Sequence, residues 1–591
     1  MGTISDKLMR IINTKEDIRQ ALISKGYDIP TSIPFKEYAK MILDLPCNAD
    51  SFPDIEGIVA RYSASGLTNE QMAANPVWVD KTGNGYDLQL KNFSWGGMSG
   101  VGGYVDNWNS SADWAVNSYW VNSHTDHKLQ FITAGSVVQA RSNNIYNAEN
   151  VYKNILNVNG LTEAVNKGAV GGLRISAVDP ITSKAIKIFS FETDGVIQIS
   201  FDDVLQDYYV NYFVTGNNTN DIDITIEQLP LYPGALVFDG VDDYGTCDNF
   251  PILTKEKGYT VVALRQWITR GKGALGLVSN VKNWLHDGAF LLEYRNIQAD
   301  HLNKPISFGA IGSEMDLPHI LTYQTSKSCN GVSIITGNFE GTDVLRVGKL
   351  APTNVGTCIN AAIWELVFLD HDATEEELTK IKDYFVKTYP WLFPDQAWTV
   401  VGKTNEDEDR ATITNITGNG NDLVLSNFGF IEGSGYNEEG QYAGYLVTDG
   451  VDDKIASSDF KMGKDFTIVG DWKFIDNKKS GTGLVKGSSF YIYNTMIGLD
   501  LYINSGSVKN SLDGIKSINA ACSDGRAYDR NWNEILANTG NVVGSGGILE
   551  VSSSGGGFDR IAFKNLAIYP RILSKDDCIK AYNYLQTLKS K

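Results

Sequence analysis

Along most of the chain, apolar and polar residues alternate in short runs separated by turn residues. Leu88 and Leu90 alternate with Gln89 and Lys91, and the same period of two recurs in Arg174-Ile175-Ser176, Ile186-Lys187-Ile188-Phe189, Val196-Ile197-Gln198-Ile199, Tyr208 to Val214 and Ile222-Asp223-Ile224-Thr225-Ile226. Successive side chains on a strand point to opposite faces, so this pattern predicts strands with one face buried and the other wet. Turn signals every 8–12 residues or so predict a β-sandwich for the stretch 105–231. A helical period is confined to three places. In residues 1–45 it joins Leu8, Ile11 and Ile12, then Ile18 and Leu22, then Phe35, Tyr38 and Ile42. Ser5 and Thr14 are placed to cap the first two helices, Asp17 completes a capping box, and Pro34 opens the third. Helices this short bury little apolar area by themselves, so these eight side chains are expected to form an anchor or oligomer interface. The other two helical patterns follow Thr374 and Ser574, each with an acidic residue three positions on, Glu377 and Asp577.

The polar positions also repeat. Thr82-Gly83-Asn84-Gly85-Tyr86-Asp87-Leu88-Gln89-Leu90-Lys91-Asn92-Phe93 returns as Thr417-Gly418-Asn419-Gly420-Asn421-Asp422-Leu423-Val424-Leu425-Ser426-Asn427-Phe428. Leu236-Val237-Phe238-Asp239-Gly240-Val241-Asp242-Asp243 likewise returns as Leu446-Val447-Thr448-Asp449-Gly450-Val451-Asp452-Asp453. Two matched segments in the same order point to the duplication of a whole domain. Phe93 and Leu236 lie 143 positions apart but Phe428 and Leu446 only 18, so the first copy holds about 125 residues that the second lacks. That is enough for a guest domain. The expected organisation is a helical anchor (1–45), a linker (46–74), a first domain split into 75–104 and 232–390, an inserted β-sandwich (105–231) and a second domain (396–591).

Charge and cysteine usage narrow the function. Lys and Arg total 51 against 70 Asp and Glu, a formal charge of −19. No basic field is available to hold a phosphate backbone, so no nucleic-acid partner is expected. The six cysteines have no metal-binding or disulfide spacing. No stretch approaches the roughly 18 apolar residues of a spanning helix, and the first twenty residues lack an export core, so synthesis in a cytoplasm without membrane insertion is expected.

The strand ending in Phe-Asp-Gly-Val-Asp-Asp-Tyr, the strand Asp465 to Trp472 and the closing strand before a Leu-Ser-Lys-Asp turn resemble the laminin-G/concanavalin-A-like jelly-roll family. The resemblance covers 75–105 with 232–390, and 396–591. It implies a mainly β chain of two concanavalin-like sandwiches, an inserted sandwich and a small N-terminal helical segment. Members of this family commonly bind glycans or proteins, and some bind calcium at the sandwich rim. The second copy departs at Thr448 and Lys454, where aromatic residues are usual. Residues 5–39 resemble a short N-terminal segment of fibre-like proteins of tailed bacteriophages. Together these resemblances imply a structural virion appendage, a head or tail fibre made in a bacterial cytoplasm and displayed on the virion surface. It would dock on other virion proteins through residues 1–45, contact a host surface glycan and assemble as a homo-oligomer, with a trimer favoured over a dimer. The alternatives are a polysaccharide-degrading tailspike-type enzyme and a purely structural capsid decoration or adaptor.

Candidate chemistry is sparse. Asp239, Asp242 and Asp243, with Asp449, Asp452 and Asp453, offer hard oxygen ligands that suit calcium. The Asp-Gly sequence also fits a turn whose Asp side chains bond their own backbone, and this role is favoured. No other cofactor is expected. Trp95, Trp108, Trp114, Tyr119 and Trp120 lie in a glycine-rich stretch with little periodicity, where uncovered rings would pack on pyranose faces. No nucleophile elbow or phosphate loop is present, and Asp221, Asp223 and Glu227 do not match the carboxylate spacing of concanavalin-like hydrolases. The expectation is therefore a protein that is not an enzyme.

Overall fold

The computed structural model describes residues 52–590 except for internal stretches, the longest being 281–290, 296–320, 334–341, 350–357 and 537–545. The anchor residues Leu8, Ile11, Ile12, Ile18, Leu22, Phe35, Tyr38 and Ile42 lie outside the described residues. From Ile55 onward the chain forms one compact, mainly β unit.

Among the described residues, strands drawn from 58–101 and 236–369 make one eight-stranded and one six-stranded antiparallel sheet. Leu88, Leu90, Phe238, Val261, Ile363 and Phe368 meet between them in a single apolar core. Strands from 396–569 repeat the plan with two eight-stranded sheets around Trp398, Leu423, Ile468, Leu549 and Phe563. Strands from 114–228 make two five-stranded sheets, closed over a third core that includes Phe131, Leu156, Ile175, Tyr212 and Ile226. This is the β-sandwich architecture that the alternating pattern predicts. Its strands Leu173–Val178, Ala185–Phe191, Gly195–Ser200, Tyr209–Thr215 and Ile222–Gln228 fall where period two places them.

The centre of each large sheet departs from alternation for a physical reason. Asn360–Leu369 and Arg560–Tyr569 are ten residues long and buried on both faces after the first position. One face points into the sandwich core. The opposite face is covered by other elements, the C-terminal helices included: Asn565 Nδ2 donates to Leu585 O in one copy, and Tyr389 OH donates to Glu365 in the other. The helix Glu375–Thr388 opens with the full Thr374–Glu377 capping box, and three glutamates in its first turn and Lys387 in its last complement the helix dipole. Ser574 caps the helix Lys575–Gln586 by its hydroxyl alone, which accepts from Asp577 N and donates to the Asp577 carboxylate.

The linker assignment of 46–74 fails over its second half. Ile58–Ser63 is a strand paired with Asn360–Leu369, and Asn69–Ala74 is a short helix capped by Thr68. Arg61 disguised the strand in the sequence, because a charged residue in an edge-length run reads as surface. In the fold Arg61 is buried and paired, and it shares the sheet with Glu365.

Candidate functional site

The two matched motifs fold into the same hydrogen-bonded scaffold. Asn92 and Asn427 adopt left-handed φ of 67° and 68°, and each side-chain amide donates to the acidic turn, to Asp242 O and Asp452 O at 3.0 Å in both copies. The Ser99 and Ser434 hydroxyls accept from the backbone N–H groups of Ser94 and Gly429 at 2.9 and 2.8 Å. Asn69 Oδ1 accepts from Val101 N at 2.7 Å and Asn405 Oδ1 from Tyr436 N at 2.8 Å, while both amides donate back to the carbonyls of the same residues. Gly100 and Gly435 are glycine because a Cβ would sit 2.6 and 2.5 Å from those Asn oxygens, at φ of 140° and 156°. The Gly-Asn-Gly hairpins also sit in like surroundings: Asp80 N donates to Asp87 and Asn415 N to Asp422, each at 2.8 Å. Asn69→Ala and Asn405→Ala each remove a two-way clasp on a strand backbone. Each is expected to cost about 1–3 kcal/mol, read as matched shifts in urea midpoint; a loss in only one copy would break the equivalence.

The acidic turns behave as turns. Asp239 Oδ1 accepts from Val241 N at 2.7 Å and Asp242 N at 3.3 Å, and Asp449 Oδ1 repeats both bonds at the same distances. Asp243 and Asp453 turn inward, fully buried, to accept from Asp239 N and Asp449 N at 3.0 and 2.8 Å. Burial, helped by the neighbouring aspartates, pushes Asp243 up to about 7 and Asp453 up to about 6. The carboxylate oxygens of Asp239, Asp242 and Asp243, and of Asp449, Asp452 and Asp453, lie within 4.8 Å of one another in each turn. Backbone N–H groups hold the Asp239 and Asp243 carboxylates, and likewise those of Asp449 and Asp453, so the turn role favoured by the sequence is the one carried forward.

The aromatic cluster separates. Trp95 is half-buried at φ 55° and stacks on Phe93 at 4.9 Å. Trp108 and Trp114 are 1% and 2% exposed, packed edge-on against each other and against Tyr212 in the core of the inserted sandwich. Their assignment as uncovered sugar-stacking rings is corrected: the loop is glycine-rich, but its rings are large enough to close one end of that core. Tyr119 and Trp120 lie outside the described residues.

A cleft opens where the chain passes from the first sandwich into the insert. It is a cavity of about 440 Å³, walled on one side by Ser94, Gly96 to Ser99 and Asp239 and on the other by Val105 to Asn107, Ser110, Asp113, Trp114 and Asn144. Gly96 and Gly97 bring main chain to the first wall without side chains. On the second, Asp113 accepts from Asn144 Nδ2 at 3.2 Å, while successive turns tie Ser110 O to the amides of Asp113 and Trp114. Asp106 forms the floor. Its carboxylate accepts from Trp114 Nε1 at 3.2 Å, Tyr152 OH at 2.5 Å and Asn154 Nδ2 at 2.9 Å, and its main chain is clasped by Gln228. Burial outweighs these bonds and pushes Asp106 up to about 7. The rim thus offers amide donors, hydroxyls and carboxylate acceptors at close quarters, a set suited to a neutral ligand with many hydroxyl groups. The second copy carries the same scaffold loop, Phe428 to Tyr436, but no insert to form the opposite wall. No sequence motif announces the cleft, because Ser94, Asp113, Asn144 and Asp239 converge from separate segments of the chain, Asp239 from the end of the strand Leu236–Asp239.

These features define a protein built of several β-sandwiches with a polar cleft at one junction. No family model matches the chain. No curated protein sequence matches it. Among solved structures it is similar to Trypanosoma rangeli sialidase in complex with sialic acid, at 10% identity over 79% of this chain and 83% of that one, with a TM-score of 0.22. It is also similar to the botulinum neurotoxin serotype D binding domain, at 12% identity over 59% and 89%, with a TM-score of 0.23. Likeness at this level carries no argument about a site or a ligand. The expectation that the protein is not an enzyme is nevertheless corrected: several of the similar structures are of an enzyme, a sialidase, and the exclusion of enzyme chemistry is withdrawn.

Proposed function

We propose that the chain is a glycan-binding appendage protein of a bacteriophage particle, holding a saccharide in the cleft between the first sandwich and the insert. The observation that supports this reading is the cleft itself, with its polar rim, glycine-lined wall and room for a short saccharide. The resemblance of residues 5–39 to phage fibre segments supports the particle setting. In this reading residues 1–45 dock on other virion proteins, the chain trimerises and the sandwiches face outward from the virion. Asp113→Ala and Asn144→Ala each remove one partner for ligand hydroxyls at a solvent-facing rim. Each is expected to weaken binding about tenfold, the worth of one hydrogen bond to a ligand, while leaving the unfolding transition in place. A glycan array followed by calorimetry on the selected saccharide reads this out, and retained affinity in both variants removes the cleft from consideration.

A second reading, hydrolysis of the bound glycan, is favoured by Asp106. Asp106 and Asp113 both line the cleft, and two carboxyl groups are what glycosidases use as acid and base. New reducing ends released by the wild type and abolished in Asp106→Asn support hydrolysis; binding without release leaves the cleft a lectin site.

A further inference from the structure

Four polar side chains meet between the last helix and the sheet of the second sandwich, at places where the first sandwich is apolar. Lys564 lies on the closing strand Arg560–Tyr569, Asp471 on its neighbour Thr467–Asp476 and Tyr445 on Tyr445–Val447, while Gln586 ends the helix Lys575–Gln586. Pairing aligns the two copies here: Leu264 faces Glu365 as Asp471 faces Asn565, and Leu236 faces Ile363 as Leu446 faces Phe563. The helices align on their caps, Thr374 and Ser574. The corresponding residues of the first copy are Trp364, Leu264, Ala235 and Val386. The fold therefore does not require polar groups at these positions, and burying them carries a cost that apolar residues avoid.

Their geometry suits a reaction. Lys564 Nζ donates to Gln586 Oε1 at 2.9 Å and stands 3.9 Å from Asp471 Oδ2, with 9% of Lys564 and 2% of Asp471 exposed. Tyr445 OH donates to the same Asp471 oxygen at 2.9 Å, and its ring lies 5.6 Å from the Lys564 ammonium. Gln586 Nε2 is buried and has no hydrogen-bond partner among the described residues. Asn565 fixes the frame: it accepts from Asp471 N at 3.0 Å and donates at 3.3 Å to the carbonyl of Leu585, the residue before Gln586. An amine, an amide whose nitrogen is unheld and a carboxylate are thus brought together away from water.

We propose that Lys564 and Gln586 join in an intramolecular isopeptide bond that ties the last helix to the closing strand. Asp471 takes a proton from the Lys564 ammonium, which frees the lone pair on Nζ. Nζ attacks Cδ of Gln586, and the π pair of the carbonyl moves to Oε1. Asp471 passes its proton to Nε2, the carbonyl re-forms, the Cδ–Nε2 bond breaks and ammonia leaves. The extra proton on Nζ then passes through Asp471 to the ammonia. One amide bond forms, one ammonium ion is released, and no oxidant or reductant is consumed. Holding the amine against the amide makes an otherwise slow aminolysis intramolecular. The cross-link falls beside a contact between sandwiches: Thr587, the next residue, accepts from Gln266 Nε2 of the first sandwich at 3.2 Å. The covalent tie anchors the helix at that contact.

The test uses the full chain, as purified and after prolonged incubation of the folded protein. Intact mass is measured after denaturation, and tryptic peptides are sequenced by fragmentation. The expected result, in at least the incubated sample, is a chain lighter by one ammonia than its sequence requires, with Lys564 uncleaved and joined to the peptide 581–589. Asp471→Asn, which keeps the size of the side chain but accepts no proton, and Lys564→Arg are each expected to keep the full mass of their own sequences. A wild-type chain of full mass, with peptides 565–571 and 581–589 recovered separately, overturns the proposal, and so does a loss of ammonia that maps to any other residue. The decisive map is read on wild-type protein, so the outcome does not depend on whether a variant folds.

Discussion

Arg61→Leu is expected to destabilise the first sandwich by about 3–5 kcal/mol, the cost of leaving a buried charge without its partner. Arg61 Nε and Nη2 donate to the two carboxylate oxygens of Glu365 at 3.1 and 3.3 Å, with 4% of Arg61 and none of Glu365 exposed. Tyr389 OH adds a third bond to Glu365 at 2.9 Å, and Arg61 Nη2 also donates to Tyr384 OH at 2.7 Å on the helix Glu375–Thr388. Burial raises the Glu365 carboxyl even against the pull of Arg61, so the guanidinium is what keeps this site tolerable as an ion. Arg61→Leu with Glu365→Leu removes both charges and is expected to recover most of the loss. Chemical denaturation of both single variants and the double variant closes the cycle. A loss below about 1 kcal/mol for Arg61→Leu would mean that the pair contributes no more than a surface salt bridge.

The second large effect is a pH dependence at Asp106. Its carboxyl holds a proton to about pH 7 in the folded chain, against an ordinary value near 3.9 in the unfolded one. The folded state therefore binds one proton more than the unfolded state between those limits. The stability this supplies is fully present below about pH 4 and is lost as pH rises through about 7, an effect of about 2–4 kcal/mol for one group across that window. Relative to Asp106→Asn, which cannot titrate, the wild type is expected to lose that much stability between pH 4.5 and pH 8, read as the difference between their pH profiles in urea. The baseline cost of placing an amide against Tyr152, Asn154 and Trp114 cancels, because only the change with pH is compared. Parallel profiles would mean that Asp106 is ionised in the fold throughout.

What could be read from the sequence follows from what period and punctuation record. Period two exposed the strands of the insert, whose outer face is wet, and capping residues marked the helices after Thr374 and Ser574. Of the clasp positions, only Asn92 and Asn427 were visible as repeated letters; the structure adds Ser99 and Asn69, and Ser434 and Asn405, which lie outside the matched segments, to a clasp around one turn in each copy. Ile58–Ser63 escaped because it is buried on both faces and carries an arginine, so neither alternation nor an apolar run appears. The tryptophans misled because a glycine-rich context says where the backbone bends and nothing about whether a ring is covered. The cleft was invisible because no two of Ser94, Asp113, Asn144 and Asp239 share an element.

The most direct test of the proposed glycan site is a crystal structure of the full chain with the saccharide that an array selects. The account predicts sugar density between Asn144 and Asp113 on the insert and Asp239 on the first sandwich, with hydroxyls replacing solvent at those side chains. Density on any other face, or on the loop Phe428 to Tyr436 of the second copy with the cleft left vacant, would contradict it.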